Sequence, residues 1–151
     1  MFDSIKFKGS IYIKHFDADG NLKEEREMHN LIVNAGLALM AALVDGSVTT
    51  PIVGMAIGTG TTAAAVTDTA LQTEVMRGAT TNSIVTTTVA NDTAEFSYTF
   101  AITATYAITE EGLFTSSAAS SGTMLSHQVF AALNLVATDS IQIIHKIQSQ
   151  A

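Results

Sequence analysis

Apolar and polar residues alternate from the start of the chain. Ile5, Phe7, Ile11 and Ile13 share one face of an extended segment, with Gly9 between them; Lys6, Lys8, Ser10, Tyr12 and Lys14 share the other. A period of two marks a half-buried strand, because successive side chains point to opposite sides of a sheet. The same period returns at Phe96, Tyr98, Phe100 and Ile102, the strongest strand signal in the chain, and at Ile141, Ile143, His145 and Ile147. Val85, Thr87 and Val89 alternate, as do Leu125, His127, Val129 and Ala131. The apolar run Ile52–Ile57 predicts a short buried strand, the charged segment 21–29 an exposed return strand, and a further strand near 105–109 leads into Gly112. Residues Thr69–Arg77 fit a helical turn or a strand equally well. Turn signals fall between these segments, at Asp17-Ala18-Asp19-Gly20, Asn91-Asp92, Ser116–Gly122 and Ala137-Thr138-Asp139-Ser140. Only Leu31–Val44 reads with helical spacing; Asn30 is its expected cap and Asp45-Gly46 its end.

Strands at roughly ten-residue intervals with turns between them predict a mainly β chain. The expected fold is an antiparallel β-sandwich, jelly-roll-like, with one α-helix near residues 31–44. With 151 residues and no fixed-period repeat, a single domain is expected over 1–151. It would comprise an N-terminal hairpin at 4–28, the helix at 31–44 and a sheet core at 52–148.

Composition sharpens this reading. Charged residues make up only 14% of the chain, against about 25% in an average soluble domain, and Thr, Ser and Ala fill their place. A surface so thinly charged suits a chain covered by neighbours. The Thr-rich strand faces and the charged 15–29 hairpin are the surfaces expected to meet them. The net charge of −7 disfavours nucleic acid and anionic membrane, and Lys6, Lys8, Lys14 and Lys23 read as solvent-facing residues. There is no Cys, so thiolate chemistry and disulfides are excluded. The opening segment Met1–Lys6 lacks the order of a signal peptide, and the longest apolar run is too short for a membrane span.

Candidate chemistry is sparse. Asp17-Ala18-Asp19-Gly20-Asn21 resembles the opening of a calcium loop, but Leu22 and Met28 stand where a glycine and a bidentate glutamate are needed; a hairpin turn is the better reading. Gly58-Thr59-Gly60-Thr61-Thr62-Ala63 fits a loose phosphate-loop pattern without the helix that must follow it, so a structural loop is expected. His15, His29, His127 and His145 form no metal-ligand spacing, and His145 is expected to be a hydrogen-bonded histidine on an apolar strand face. Glu110 and Glu111 face opposite sides of one strand and make a poor acid–base pair; both are expected at the rim, with Gly112 permitting a bend or bulge. No catalytic, cofactor, metal or nucleic-acid-binding residue is assigned, and no cofactor or enzymatic activity is expected.

Three segments carry a resemblance: His29-Asn30-Leu31-Ile32-Val33-Asn34-Ala35-Gly36-Leu37; Met55–Thr62 followed by Asp68-Thr69-Ala70-Leu71 and Glu74; and Ile108–Phe114 followed by Gly122–Leu125, Val129-Phe130 and Asp139-Ser140-Ile141. Their order resembles small structural proteins of tailed bacteriophages, described as tail, fibre-associated or head-decorating components. The resemblance implies a virion location and no catalysis. It also implies assembly with copies of the chain itself and with other virion proteins, such as the major capsid protein or tail proteins. A capsid decoration or cement subunit is the leading expectation and a tail, baseplate or fibre-attachment accessory the second. A carbohydrate- or receptor-binding module is the distant third, since there is no Trp and only three Tyr to meet a sugar.

Overall fold

A computed structural model describes residues 4–151. Met1 to Asp3, the start of the segment read for an export signal, lie outside them. The elements are β1 (Lys6–Phe16), β2 (Leu22–His29), β3 (Leu31–Ile32), α1 (Asn34–Asp45), β4 (Gly54–Gly58), β5 (Glu74–Ala79), β6 (Thr81–Val85), β7 (Thr93–Ala101), β8 (Tyr106–Phe114), β9 (Met124–Leu135) and β10 (Ser140–Gln150). They form two five-stranded sheets, ordered β2-β1-β10-β7-β6 and β3-β9-β8-β4-β5. Every pairing is antiparallel. The fold is the β-sandwich with one helix that the alternation predicts. Its hairpins, β1–β2, β4–β5, β6–β7 and β8–β9, each stay within one sheet, and β1 pairs along its whole length with β10.

The main core lies between the sheets, where the period-two faces meet. Ile11, Ile13, Phe96, Phe100, Ile141, Ile143 and Ile147 come from the first sheet, and Met55, Ile57, Ile108, Leu113, Leu133 and Leu135 from the second. Tyr98 meets Phe100 edge-to-face, with ring centroids 4.7 Å apart, and lies across Gly78 of the opposite sheet, where an added Cβ would come within 2.1 Å of the ring. The second sheet is covered on its outer face too. There Val33, Ala56, Leu71, Phe114 and Met124 form a smaller core beneath the segment 59–73. This double burial explains why β4 is buried at all five positions and β8 at seven in a row, from Ile108 to Phe114.

Two expectations are corrected. The helix begins at Asn34 rather than 31, with Val33 as a cap that makes no side-chain bond. Leu31 and Ile32 pair with His127 and Ser126 of β9 instead, and the Asn30 side chain turns to His145. Helical spacing in a run of apolar residues does not exclude a short half-buried strand at its start, and here sheet pairing wins. Second, β8 runs unbroken through Gly112; its register shifts fall between Ile108 and Glu110 and between Leu113 and Phe114. The undecided stretch 69–77 ends in a strand, β5, and the alternation at Val85–Val89 stops at Val85, beyond which the chain turns toward Asn91.

Candidate functional site

Glu110 and Glu111 are not at the rim: both are 0% exposed. Because neighbours on a strand face opposite ways, each lies in a different core and organises its own network. Glu110 points to the outer face of the second sheet. Its Oε1 accepts the N–H groups of Gly60 at 2.9 Å and Thr73 at 2.8 Å, and its Oε2 accepts that of Gln72 at 2.9 Å. The loop that resembles a phosphate cradle thus does wrap an anion, and the anion is this side chain. Gly58 and Gly60 let it approach, since a Cβ at either would stand within 3 Å of the Glu110 carboxyl group. Beside it, Thr109 donates its hydroxyl to the Gly60 carbonyl.

His127, on the neighbouring strand β9, completes this cluster. Its Nε2 lies 3.0 Å from Glu110 Oε2 and its Nδ1 2.7 Å from Asp68 Oδ2. A ring with a carboxylate at each nitrogen donates to both only as the imidazolium. Burial alone would push the Asp68 carboxyl up, but the Ala65 N–H and His127 outweigh it and hold it below its ordinary value. Asp68, His127 and Glu110 therefore tie both ends of the 59–73 segment to the sheet. Charge-assisted bonds of this kind contribute about 1.5–3 kcal/mol each, which offsets the cost of taking the carboxylate out of water.

Glu111 points the other way, into the main core. Its Oε1 lies 3.0 Å from Nδ1 of His145, on β10 of the opposite sheet. His145 Nε2 in turn lies 2.8 Å from the Asn30 amide nitrogen. A neutral ring protonated on Nδ1 satisfies both contacts, donating to Glu111 and accepting from Asn30. The chain Glu111–His145–Asn30 joins β8, β10 and the link between β2 and β3 across the sandwich. Ser126, diagonal to Glu111 on β9 by the pairing of Glu111 with Gln128, is also buried, and its hydroxyl, Glu111 Oε2 and Asn30 Oδ1 make no hydrogen bond.

Several other ionisable groups secure turns. His15 Nε2 lies 2.8 Å from Asp139 Oδ2, and Asp139 also accepts the Val136 N–H; the His15 bond leads in holding its carboxyl below its ordinary value. Asp17 Oδ1 accepts the N–H groups of Asp19 and Asn21, which closes the β1–β2 hairpin turn. Asp92 accepts from Thr87, Thr88 and Val89, and its carboxyl is held far below its ordinary value by that backbone. Arg77 of β5 makes a two-pronged pair with Glu74, at 2.9 and 2.7 Å, and lies 3.7 Å over the Phe114 ring.

What these groups can do chemically follows from their partners. Among the described residues, no serine or threonine hydroxyl is hydrogen-bonded to any histidine, and no set of three or more His, Asp or Glu side chains is arranged to hold a metal ion. The two buried histidines at the centre of the molecule have no exposed ring surface. The networks hold loops and sheets together. Sequence reasoning found the separation of Glu110 from Glu111 and the strand-face position of His145, but missed their partnership. A signal was present: Glu110-Glu111 stands inside an apolar strand with no turn beside it, and His15, His127 and His145 each sit on an apolar strand face. Acids and histidines isolated on buried faces need one another. Among the described residues no helix is long and apolar enough to cross a membrane. No protein-family model, no curated protein and no solved structure matches this chain.

Proposed function

We propose that this chain is a non-enzymatic structural subunit of a tailed-bacteriophage particle, acting as a capsid decoration or cement protein that associates with the major capsid protein. One observation carries the reading: several large apolar side chains stand outside the fold, while a few acids and histidines are buried in pairs. Glu110, Glu111, His127, His145, His15 and Asp139 are buried and paired, while large apolar side chains stand outside. Leu37 is 50% exposed and Val44 86% on a helix with no charge before Asp45. A helix that is apolar on all sides suits one that is covered in its working state. A β-sandwich whose buried polar networks brace its own loops, and whose helix presents an apolar surface, suits a rigid tile better than a binding cleft. The ordered resemblance of its three segments to small phage structural proteins points the same way.

The test is quantitative mass spectrometry of purified particles that carry this chain. A copy number close to that of the major capsid protein supports decoration. A handful of copies per particle moves the chain to the tail, and absence from particles overturns the virion reading altogether.

A further inference from the structure

We infer that two copies of this chain join edge to edge through β6, extending the first sheet into one continuous ten-stranded sheet across a two-fold axis at Ser83. The open edges of the two sheets are β2, β6, β3 and β5. An open edge presents unpaired backbone N–H and C=O groups, and folded proteins guard such edges with charge, shortness or irregularity. β2 carries Lys23, Glu24, Glu25, Arg26 and Glu27. β3 is two residues long. β5 carries Glu74 and Arg77. β6, Thr81-Asn82-Ser83-Ile84-Val85, has none of these protections. It pairs with β7 without a register shift, and it lies in a stretch from Gly78 to Asn91 without a charged residue or a proline.

A second copy is the occupant the chemistry favours. With a net charge of −7, two copies repel each other over most approaches, and the neutral β6 is where that repulsion is least. The strand offers no charge that would select an oppositely charged partner. An antiparallel pair of identical strands matches donors to acceptors by symmetry. A two-fold normal to the sheet keeps each residue on its own face, so one residue must oppose its own copy. Only Ser83, the middle residue, pairs all five positions, placing Thr81 against Val85 and Asn82 against Ile84. Inside this edge the sandwich has an open notch lined by Asn82, Ser83, Ile84, Ala94 and Phe96, where Ile84 remains 61% exposed. The mate's Ile84 would enter on that same face and cover it. The inference stands apart from the particle on which the chain acts: a strict monomer would overturn it and leave the copy-number test untouched.

The experiment is sedimentation of the full chain over a concentration series to millimolar, with backbone amide exchange on the unmodified protein. The expected result is a reversible dimer in which the Thr81–Val85 amides gain protection as concentration rises. Ser83→Lys places like charges directly opposite one another and should weaken dimerisation on the order of fivefold. Ser83→Glu should do the same, and an equimolar mixture of the two variants should restore association. A monomer throughout, or a dimer whose β6 amides stay unprotected, overturns the inference. The exchange measurement needs no variant, so it decides even if a substituted strand fails to fold.

Discussion

Glu110 has four donors around two oxygens: the N–H groups of Gly60, Gln72 and Thr73, and His127. Glu111 has one partner, His145, and a second oxygen that makes no hydrogen bond. Equal burial therefore conceals unequal dependence. Glu110→Gln turns an amide NH2 toward at least two donors whichever way it is rotated and leaves His127 facing one carboxylate. Its cost should be about 3–5 kcal/mol, as for breaking one partner out of a buried pair. Glu111→Gln can keep its carbonyl oxygen on His145 while removing a buried charge, and should cost no more than about 1–2 kcal/mol. Urea unfolding of the two variants checks this. Equal losses would mean that the 59–73 segment is not held by Glu110.

At the scale of elements, α1 shows how close packing overrides propensity. Glycine is among the poorest helix formers, so Gly36→Ala in isolation should favour the helix by about 1 kcal/mol. Gly36, however, sits against the backbone of β9, and an added Cβ would lie 2.1 Å from the Leu125 carbonyl oxygen. Neither partner is a flexible side chain that can swing aside. The substitution should destabilise the protein by a net of about 1–3 kcal/mol, seen as a lower midpoint in chemical denaturation. A gain in stability would mean that the helix does not rest on the sheet at this point. The same element carries Leu37, Ala38, Ala41 and Val44 to the surface, so the face that fixes α1 and the face it presents outward are both short of charge.

At the scale of the whole molecule, acid is the sensitive direction. The carboxyls of Asp17, Asp68, Asp92 and Asp139 are all held below their ordinary values in the folded chain, by backbone N–H groups and by His127 and His15. A depressed folded pKa contributes stability that is present above the unfolded value, about 3.9 for Asp. That stability is lost as pH falls through this value toward the folded one. The melting temperature should therefore be nearly level from about pH 7 to pH 5 and fall steeply below about pH 4. Asp139→Asn should lower stability at neutral pH, and the gap to the parent should narrow in acid. A gap that widened in acid would contradict the assigned role of the His15–Asp139 pair.

The alternation at Ile11–Ile13, Phe96–Phe100 and Ile141–Ile147 determined the sandwich by itself, because a period of two allows one buried face and every strand so patterned must find another to cover it. Turns were equally legible, since Asp17-Ala18-Asp19-Gly20 and Asn91-Asp92 act through bonds to their own backbone, a few residues away. Sites and edges were not. Glu110 reaches Gly60 across fifty positions of sequence, and His145 reaches Asn30 across 115. No local pattern records which acid meets which histidine. The outer layer over β4 and β8 was hidden for the same reason: Gly58–Ala63 reads as a loop and Thr69–Arg77 as helical turn or strand, and only the fold brings the N–H groups of Gly60, Gln72 and Thr73 onto the Glu110 carboxylate. Whether a neutral strand lies in the middle of a sheet or at its open edge is likewise invisible in Thr81–Val85 alone. Strand order decided it, because only the tertiary fold determines which backbone groups are left without a neighbour.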